Sequence, residues 1–256
     1  MKILITGATS GIGYLSALTL AQRGHFVYLT CHTNNQVKTV KEKLGDEKNI
    51  TVMKVDITNE EDRKKVIDLN IDCLYNHAGI ALGGSIIESD MDEVRNNFEV
   101  NVFSSFRLLQ LVLRQMVDKD KGRLVVTSSL ASYFPIPFAG IYSATKASIT
   151  SIVTALQREM FLMGTNVKVV LVEPGLYHTG FNQIFLENKY DDGKYFKDIK
   201  KELYNTEHLI FKLLEKKNLD SIVIQMVRAI EDKHPKKIYK APFIQSKLIK
   251  IYSLFK

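Results

Sequence analysis

The chain has 256 residues, of which 45% are hydrophobic and 25% are charged, a balance typical of globular proteins and not of disordered or membrane-spanning ones. No apolar run approaches the roughly 20 residues that a helix needs to cross a bilayer. The net charge is +7, but much of the excess follows Asp232, and no helix-turn-helix, zinc-finger or RNA-binding pattern is present, so we predict no nucleic-acid partner.

The N-terminus and the cysteines indicate a reducing environment. The first residues lack a charged stretch followed by a long apolar one, which predicts no secretory signal and a cytoplasmic location. Cys31 and Cys73 are the only cysteines, and each stands at the end of an apolar run, so we expect small buried thiols and no disulfide. Histidines and cysteines show no ligand spacing, so no metal site is predicted.

Short β-branched apolar runs alternate with helix-length amphipathic segments along most of the chain. The runs are 2–6, 26–30, 50–55, 72–75, 123–128 and 167–172, and between them lie 11–23, 35–45, 59–68, 91–118 and 142–163. This order predicts an α/β fold, a Rossmann-like doubly wound parallel sheet of about seven strands with helices on both faces, in one domain over 1–256. Ligands of such sheets bind beyond the carboxyl ends of the strands.

The alternation weakens after residue 175. Residues 176–217 are predicted to form loop and amphipathic helix, and an insertion of this length at a strand end is typical of a substrate lid. Its apolar residues could line a substrate site or only pack the lid onto the body, and both interpretations stay open. They are Phe181, Ile184, Phe185, Leu186, Phe196, Leu203 and Tyr204.

The C-terminal residues 246–256 combine lysines with apolar residues at spacings of three and four, Leu248, Ile251, Tyr252 and Phe255. This pattern predicts a short basic amphipathic helix. Such a helix can cover its own domain, dock on a neighbouring subunit or lie on an anionic membrane. Docking on protein is the simplest interpretation, and peripheral membrane contact is the alternative.

A glycine-rich turn from Thr6 to Gly13 follows the first strand directly and opens a helix. Gly7, Gly11 and Gly13 allow a tight turn and close approach of a pyrophosphate, whose charge the amides at the helix N-terminus would meet. The spacing G-x-x-x-G-x-G differs from the common dinucleotide fingerprint, and any strand-to-helix connection can need glycine. The position at the first strand favours a nucleotide.

The end of the second strand bears on which nucleotide binds. An acidic residue there would hydrogen-bond the ribose 2′-hydroxyl of NAD, but Cys31 and His32 follow Thr30. No carboxylate repels a 2′-phosphate, and His32, Asn34 or Asn35 can donate to one. NADP(H) is therefore favoured over NAD(H).

Tyr142 and Lys146 stand four residues apart at the start of a helical segment, so both project from one face. An adjacent ammonium would lower the tyrosine pKa toward working pH and make Tyr142 a general acid or base. The same spacing occurs by chance on many helices, so its context decides.

Two further polar residues lie where a sheet presents its ligands. Ser129 follows the strand at 123–128 and could hold a substrate oxygen beside Tyr142, with Ser128 and Ser132 as chemical alternatives. Asn101 stands between two valines in a helical segment, which predicts a buried amide with a structural or relay role.

Together these motifs resemble the short-chain dehydrogenase/reductase family over essentially the full length. The resemblance implies a catalytic tetrad of Asn101, Ser129, Tyr142 and Lys146, which would reduce a carbonyl or oxidise an alcohol with NADP(H) or NAD(H). Besides His32, it implies cofactor contacts at Gly7, Thr9, Ser10, Gly11, Ile12, Gly13, Asp56, Ile57, Asn76, Ala78, Gly79, Tyr142, Lys146, Pro174, Gly175 and Thr179.

The resemblance also implies a homodimer or homotetramer. The segment Gly83 to Glu88 resembles one in members that act on steroids, retinoids and acyl chains, which predicts a lipophilic small-molecule substrate. One departure is His77, where the family commonly has a second asparagine, and it puts the bracing of the sheet there in doubt. Two alternatives stay open: a sugar-nucleotide epimerase or dehydratase, and a catalytically silent NADP-binding redox sensor.

Overall fold

A computed structural model describes residues 1–182 and 194–252 of the chain. Seven parallel strands form one sheet in the order β3-β2-β1-β4-β5-β6-β7, which confirms the predicted doubly wound fold. The strands are β1 Lys2–Ile5, β2 Phe26–Cys31, β3 Ile50–Lys54, β4 Cys73–Asn76, β5 Arg123–Thr127, β6 Lys168–Pro174 and β7 Ile238–Ala241. The sequence placed the first six to within two residues at each end and did not locate β7.

Helices connect the strands and cover the sheet. They are α1 Gly11–Gln22, α2 Asn34–Leu44, α3 Glu60–Asp68, α4 Met91–Phe98, α5 Ser105–Asp118, α6 Gly140–Met163, α7 Lys200–Leu214, α8 Asp220–Glu231 and α9 Phe243–Tyr252. The prediction of one uninterrupted helix over 91–118 is wrong, because a π-helical turn, Glu99–Ser104, separates α4 from α5. The helix α8 was not predicted.

The core lies on both faces of the sheet because successive strand residues point to opposite sides. Ile3 and Ile5 pack with α1 and α8 on one face, and Leu4 packs with α5 and α6 on the other. Cys31 and Cys73 are buried free thiols, as predicted. Burial of each large aliphatic side chain contributes about 1.5–3 kcal/mol.

The strand order reverses at the centre of the sheet. The chain leaves β1 toward β2 and β3 and then crosses to β4 on the other side of β1. Loops from the carboxyl ends of β1 and β4 therefore diverge and open a crevice, where open α/β sheets bind their ligands.

Some predictions fall on residues that the structure does not describe. Residues 183–193 and 253–256 lie outside the described ranges, so Ile184, Phe185, Leu186 and Phe255 are not placed, nor are the side chains of Ile251 and Tyr252. Within residues 1–182 and 194–252, no helix combines the length and apolar character that a membrane span requires.

Candidate active site

The glycine-rich turn and the loop after β4 form one side of the crevice. Gly7 has a left-handed backbone with φ 64°, and a Cβ there would lie 2.7 Å from the Cα of Ala78. The Ser10 side chain makes no capping hydrogen bond to the first turn of α1. The turn thus presents helix-terminal amides at close backbone approach, which fits a pyrophosphate.

His77 braces the sheet beneath this loop. Its Nδ1 lies 2.8 Å from the Tyr75 hydroxyl and 3.0 Å from Oγ1 of Thr127, so it joins β4 to β5. Burial, with a smaller contribution from the charge of Lys146, lowers the pKa of His77 to about 3 and keeps the ring neutral. The sequence left in doubt whether a histidine at position 77 braces the sheet. The structure shows that it does, because the His77 ring bonds to both β4 and β5.

The side chain of Asn76 has a structural environment. It is buried, accepts a hydrogen bond from Oγ1 of Thr6 at 3.2 Å and donates to Oγ of Ser105 at 3.1 Å. The cofactor contact expected at Asn76 would therefore be made by its backbone.

Asn101 lies in the π-helical turn and is buried as predicted. Its Oδ1 accepts from the Ile80 amide at 2.8 Å, while Nδ2 donates to the Ile80 carbonyl at 2.8 Å and to Oγ1 of Thr145 at 3.1 Å. These bonds join the loop after β4 to the start of α6. The extra residue of a π turn aims the side chain inward, a feature found often at functional sites.

Ser129 stands at the carboxyl end of β5 and is the serine that meets Tyr142. Its Oγ accepts from the Ala131 amide at 3.1 Å and hydrogen-bonds with the Tyr142 hydroxyl. The alternatives face elsewhere, because Ser128 bonds to Thr150 on α6 and Ser132 donates to the Ser129 carbonyl at 2.7 Å.

Tyr142 and Lys146 share one face of α6, as their spacing predicts. Nζ of Lys146 lies 5.8 Å from the Tyr142 ring centroid and donates to the Thr127 carbonyl at 3.3 Å. Burial raises the pKa of Tyr142 to about 12, against an opposing hydrogen bond with Ser129, and lowers the pKa of Lys146 to about 8. The expectation that Lys146 brings the tyrosine pKa toward neutrality is wrong for this geometry, because desolvation of the phenolate dominates.

His32 and Asp56 face each other where β2 and β3 end. His32 Nε2 lies 3.2 Å from Oδ2 of Asp56, and Thr58 donates to Oδ1 through its amide and hydroxyl at 2.9 and 2.7 Å. Burial alone would raise the pKa of Asp56, but these bonds and His32 hold it below its usual value. Ile57 beside it is buried.

The turn after β6 closes the other side of the crevice. A Cβ on Gly11 would lie 3.0 Å from Cβ of Thr179, so this turn and the glycine-rich turn adjoin. Pro174 is buried at the end of β6, and the amide of Gly175 donates to the Ala241 carbonyl at 2.7 Å. The turns after β1 and β6 therefore lie side by side at the carboxyl edge of the sheet.

Two aromatic pairs join residues after β6 to residues at or before the start of α6. Phe181 lies with its ring centroid 5.8 Å from that of Tyr142, and Phe196 packs edge-on against Phe138 at 5.0 Å. Phe138 has a left-handed backbone with φ 60°, which is strained for a bulky residue. Residues 176–217 thus contribute Phe181 and Phe196 to aromatic contacts with Tyr142 and Phe138.

A carboxylate that the sequence reasoning missed lies behind the serine turn. Glu173 is fully buried in β6, accepts from the Tyr133 hydroxyl at 2.7 Å and pairs with Nζ of Lys240 at 2.6 Å. Tyr133 directly follows the short helix that begins after Ser129. The available signal was an acidic residue in an otherwise apolar strand, since buried carboxylates are rare without a partner.

Comparisons with known proteins identify the family of the chain. The family model described as short chain dehydrogenase matches residues 1–189. A 3-ketodihydrosphingosine reductase of Bacteroides thetaiotaomicron is 32% identical over 185 residues, which are 70% of this chain and 65% of that protein. The chain belongs to the short-chain dehydrogenase family.

Solved structures of short-chain dehydrogenases share the fold. A closed form of serine dehydrogenase complexed with NADP+ is 26% identical, with a TM-score of 0.67 over 85% of this chain and 94% of that one. A Burkholderia phymatum member in complex with NAD has a TM-score of 0.81 over 99% of this chain and 91% of that one, at 19% identity. The match to the 3-ketodihydrosphingosine reductase covers 65% of that protein, which is less than two thirds of its length.

Proposed function

We propose that this short-chain dehydrogenase transfers a hydride between NADP(H) and a carbonyl or alcohol carbon of a lipophilic small molecule. The observation that carries the proposal is the hydrogen-bonded Ser129 and Tyr142 pair at the crevice, with the buried Lys146 beside it. A nicotinamide cofactor supplies the hydride when it is bound. The chain supplies binding, orientation and the proton.

Each tetrad residue has a distinct part in this proposal. The hydroxyls of Ser129 and Tyr142 bind the carbonyl oxygen, and Tyr142 gives that oxygen its proton during reduction. Its raised pKa keeps the phenol protonated at neutral pH, which is the form that a proton donor needs. Lys146 holds a positive charge nearby and would bind the nicotinamide ribose, and Asn101 fixes the loop at Ile80 against α6.

The residues around the crevice fit the cofactor. The glycine-rich turn from Gly7 to Gly13 would hold the pyrophosphate, and Thr179 adjoins it. His32 is two-thirds exposed at the end of β2 and can donate to a 2′-phosphate, and its Nε2 lies 3.2 Å from Oδ2 of Asp56. NADP(H) is the proposed partner for this reason.

The proposal of a lipophilic substrate rests on apolar side chains near Tyr142 and the start of α6. Phe181 packs against the ring of Tyr142, Phe196 packs against Phe138, and Ile86 lies against Gly140. An apolar pocket with few polar groups selects apolar ligands. The name of the Bacteroides relative supports a ketone on a long acyl chain as the first substrate to test.

Tyr142→Phe tests the reaction because it removes only the transferable proton. We expect turnover with a panel of long-chain ketones, followed as NADPH oxidation, to fall by at least about 100-fold, with NADPH affinity changed by less than about threefold. The matched control is Tyr28→Phe, because Tyr28 lies on β2 away from the crevice.

Retention of a tenth of wild-type turnover by Tyr142→Phe would contradict the assignment. Tight NADPH binding by the wild type without oxidation in any ketone mixture would instead favour the redox sensor.

A further inference from the structure

A face of exposed apolar side chains lies beside the mouth of the crevice. It consists of residues from the end of α7 and the start of α9, each 48–74% exposed: Leu209, Leu213, Leu214, Phe243, Ile244 and Leu248. We refer to these six residues as the α7–α9 face. Single exposed leucines are ordinary, but six exposed apolar side chains on two adjoining helix ends indicate an interaction surface.

One residue holds the two helices of this face together. Nε2 of Gln245 donates to the Leu214 carbonyl at 2.8 Å, and its Oε1 accepts from the Leu176 amide at 2.8 Å. Leu176 follows the turn at Pro174 and Gly175 that lines the crevice. The face is therefore a fixed surface, tied to the same loop that closes the site.

The exposed charged side chains of residues 209–217 and 243–248 are all lysines. Lys212, Lys216, Lys217 and Lys247 are exposed beside it, and Nζ of Lys247 lies 4.6 Å from the Phe243 ring centroid. Glu215 is the one carboxylate in residues 209–217 and 243–248, and it is 8% exposed and paired with His178 at 2.8 Å. The surface is both apolar and basic.

We propose that the α7–α9 face docks on the surface of an anionic lipid bilayer. The apolar side chains would enter the headgroup boundary, and the lysines near them would be attracted to anionic lipid. A second copy of the chain fits less well, because a two-fold contact would bring the lysines of both copies together. The docking surface stands apart from the proposed reaction. Docking would also bring a lipid-borne substrate to the adjoining crevice, and that consequence alone rests on the proposed function.

Vesicle flotation of the full chain tests the docking. We expect flotation with vesicles of phosphatidylglycerol and phosphatidylcholine at low salt, weakening as salt rises, and little flotation with phosphatidylcholine alone. The variant Leu213→Ser/Ile244→Ser/Leu248→Ser should bind at least about tenfold more weakly. Lys212→Gln/Lys216→Gln/Lys247→Gln should lose the preference for anionic vesicles.

The control removes equally exposed apolar surface elsewhere. Phe161 and Leu162 at the end of α6 are 82% and 83% exposed, and Phe161→Ser/Leu162→Ser should float as the wild type does. Circular dichroism and NADPH affinity verify that each variant is folded.

Absence of flotation at low salt would overturn the proposal, as would an equal loss in the α6 control. A dimer that the α7–α9 variant abolishes would make a second copy the occupant and would also overturn it. None of these readouts needs turnover, so failure of the docking and failure of the proposed reaction are distinguishable.

Discussion

At the residue scale, burial of the Lys146 ammonium lowers the stability of the folded protein. Its buried ammonium has a pKa of about 8, below the ordinary value near 10.5, so the unfolded chain binds the proton more readily. Below pH 8 the charged form carries the full penalty. Between pH 8 and 10.5 the folded lysine loses its proton first and the penalty disappears as pH rises.

Replacement of this lysine should therefore stabilise the protein at neutral pH. We expect Lys146→Met to raise the free energy of unfolding at pH 7 by on the order of 2 kcal/mol, allowing for the lost bond to Thr127, and to abolish turnover. Urea unfolding at pH 7 and pH 10 measures this, and the gain should vanish at the higher pH. Lys38→Met, at an exposed position of α2, should change neither value. A gain that persists at pH 10 contradicts a titrating ammonium.

His32 tests cofactor selection, also at the residue scale. We expect the wild type to bind NADPH more tightly than NADH. Because a charge-assisted hydrogen bond is worth about 1.5–3 kcal/mol, His32→Ala should weaken NADPH by at least tenfold and NADH by less than about twofold. Fluorescence titration measures both affinities, and His234→Ala is the control, since His234 is exposed after α8. Equal losses for the two cofactors would remove His32 from phosphate recognition. Introducing a carboxylate at Cys31 is a poorer test, because that side chain is fully buried.

At the element scale, hydrogen bonds join the two ends of residues 176–217. The Lys216 amide donates to the Leu176 carbonyl at 3.0 Å, and the His178 amide donates to the Lys216 carbonyl at 2.9 Å. Glu215 accepts from Nδ2 of Asn182 at 2.8 Å and contacts His178. These bonds join residues about forty positions apart. The two ends of residues 176–217 therefore lie against each other beside the turn after β6.

Helical periodicity located the element that carries Asn101 but not its internal turn. Apolar residues at spacings of three and four predict a helix over 91–118, and both α4 and α5 follow that pattern. A π turn adds one residue to the hydrogen-bonded ring without changing the composition. Its position is set by the bonds of Asn101 to Ile80 and Thr145, which are distant in sequence.

At the scale of the whole molecule, α5 leaves apolar surface uncovered. Phe106 at the start of α5 is 38% exposed, and Phe103 in the π-helical turn before it is 58% exposed. We propose a homodimer or homotetramer built on α5 and α6, as the family resemblance implies. Sedimentation at micromolar concentration should show an oligomer, and Phe103→Ser/Phe106→Ser should shift it toward monomer. The α7–α9 variant is the control and should keep the oligomer. A wild type that sediments only as monomer contradicts the proposal.

The sequence by itself determined the doubly wound sheet and six of its strands, because hydrophobic periodicity and strand-end position are local properties. Tertiary structure decided the rest. β7 is four residues long and is defined by pairing with β6, and Glu173 has a role only because Tyr133 and Lys240 meet it. Ser129 was separated from Ser128 and Ser132 by where each hydroxyl points. The pKa of Tyr142 depended on burial, which opposes the charge effect that the four-residue spacing suggests. In each case the physical reason is the same: desolvation and contacts between distant segments exist only once the chain is folded.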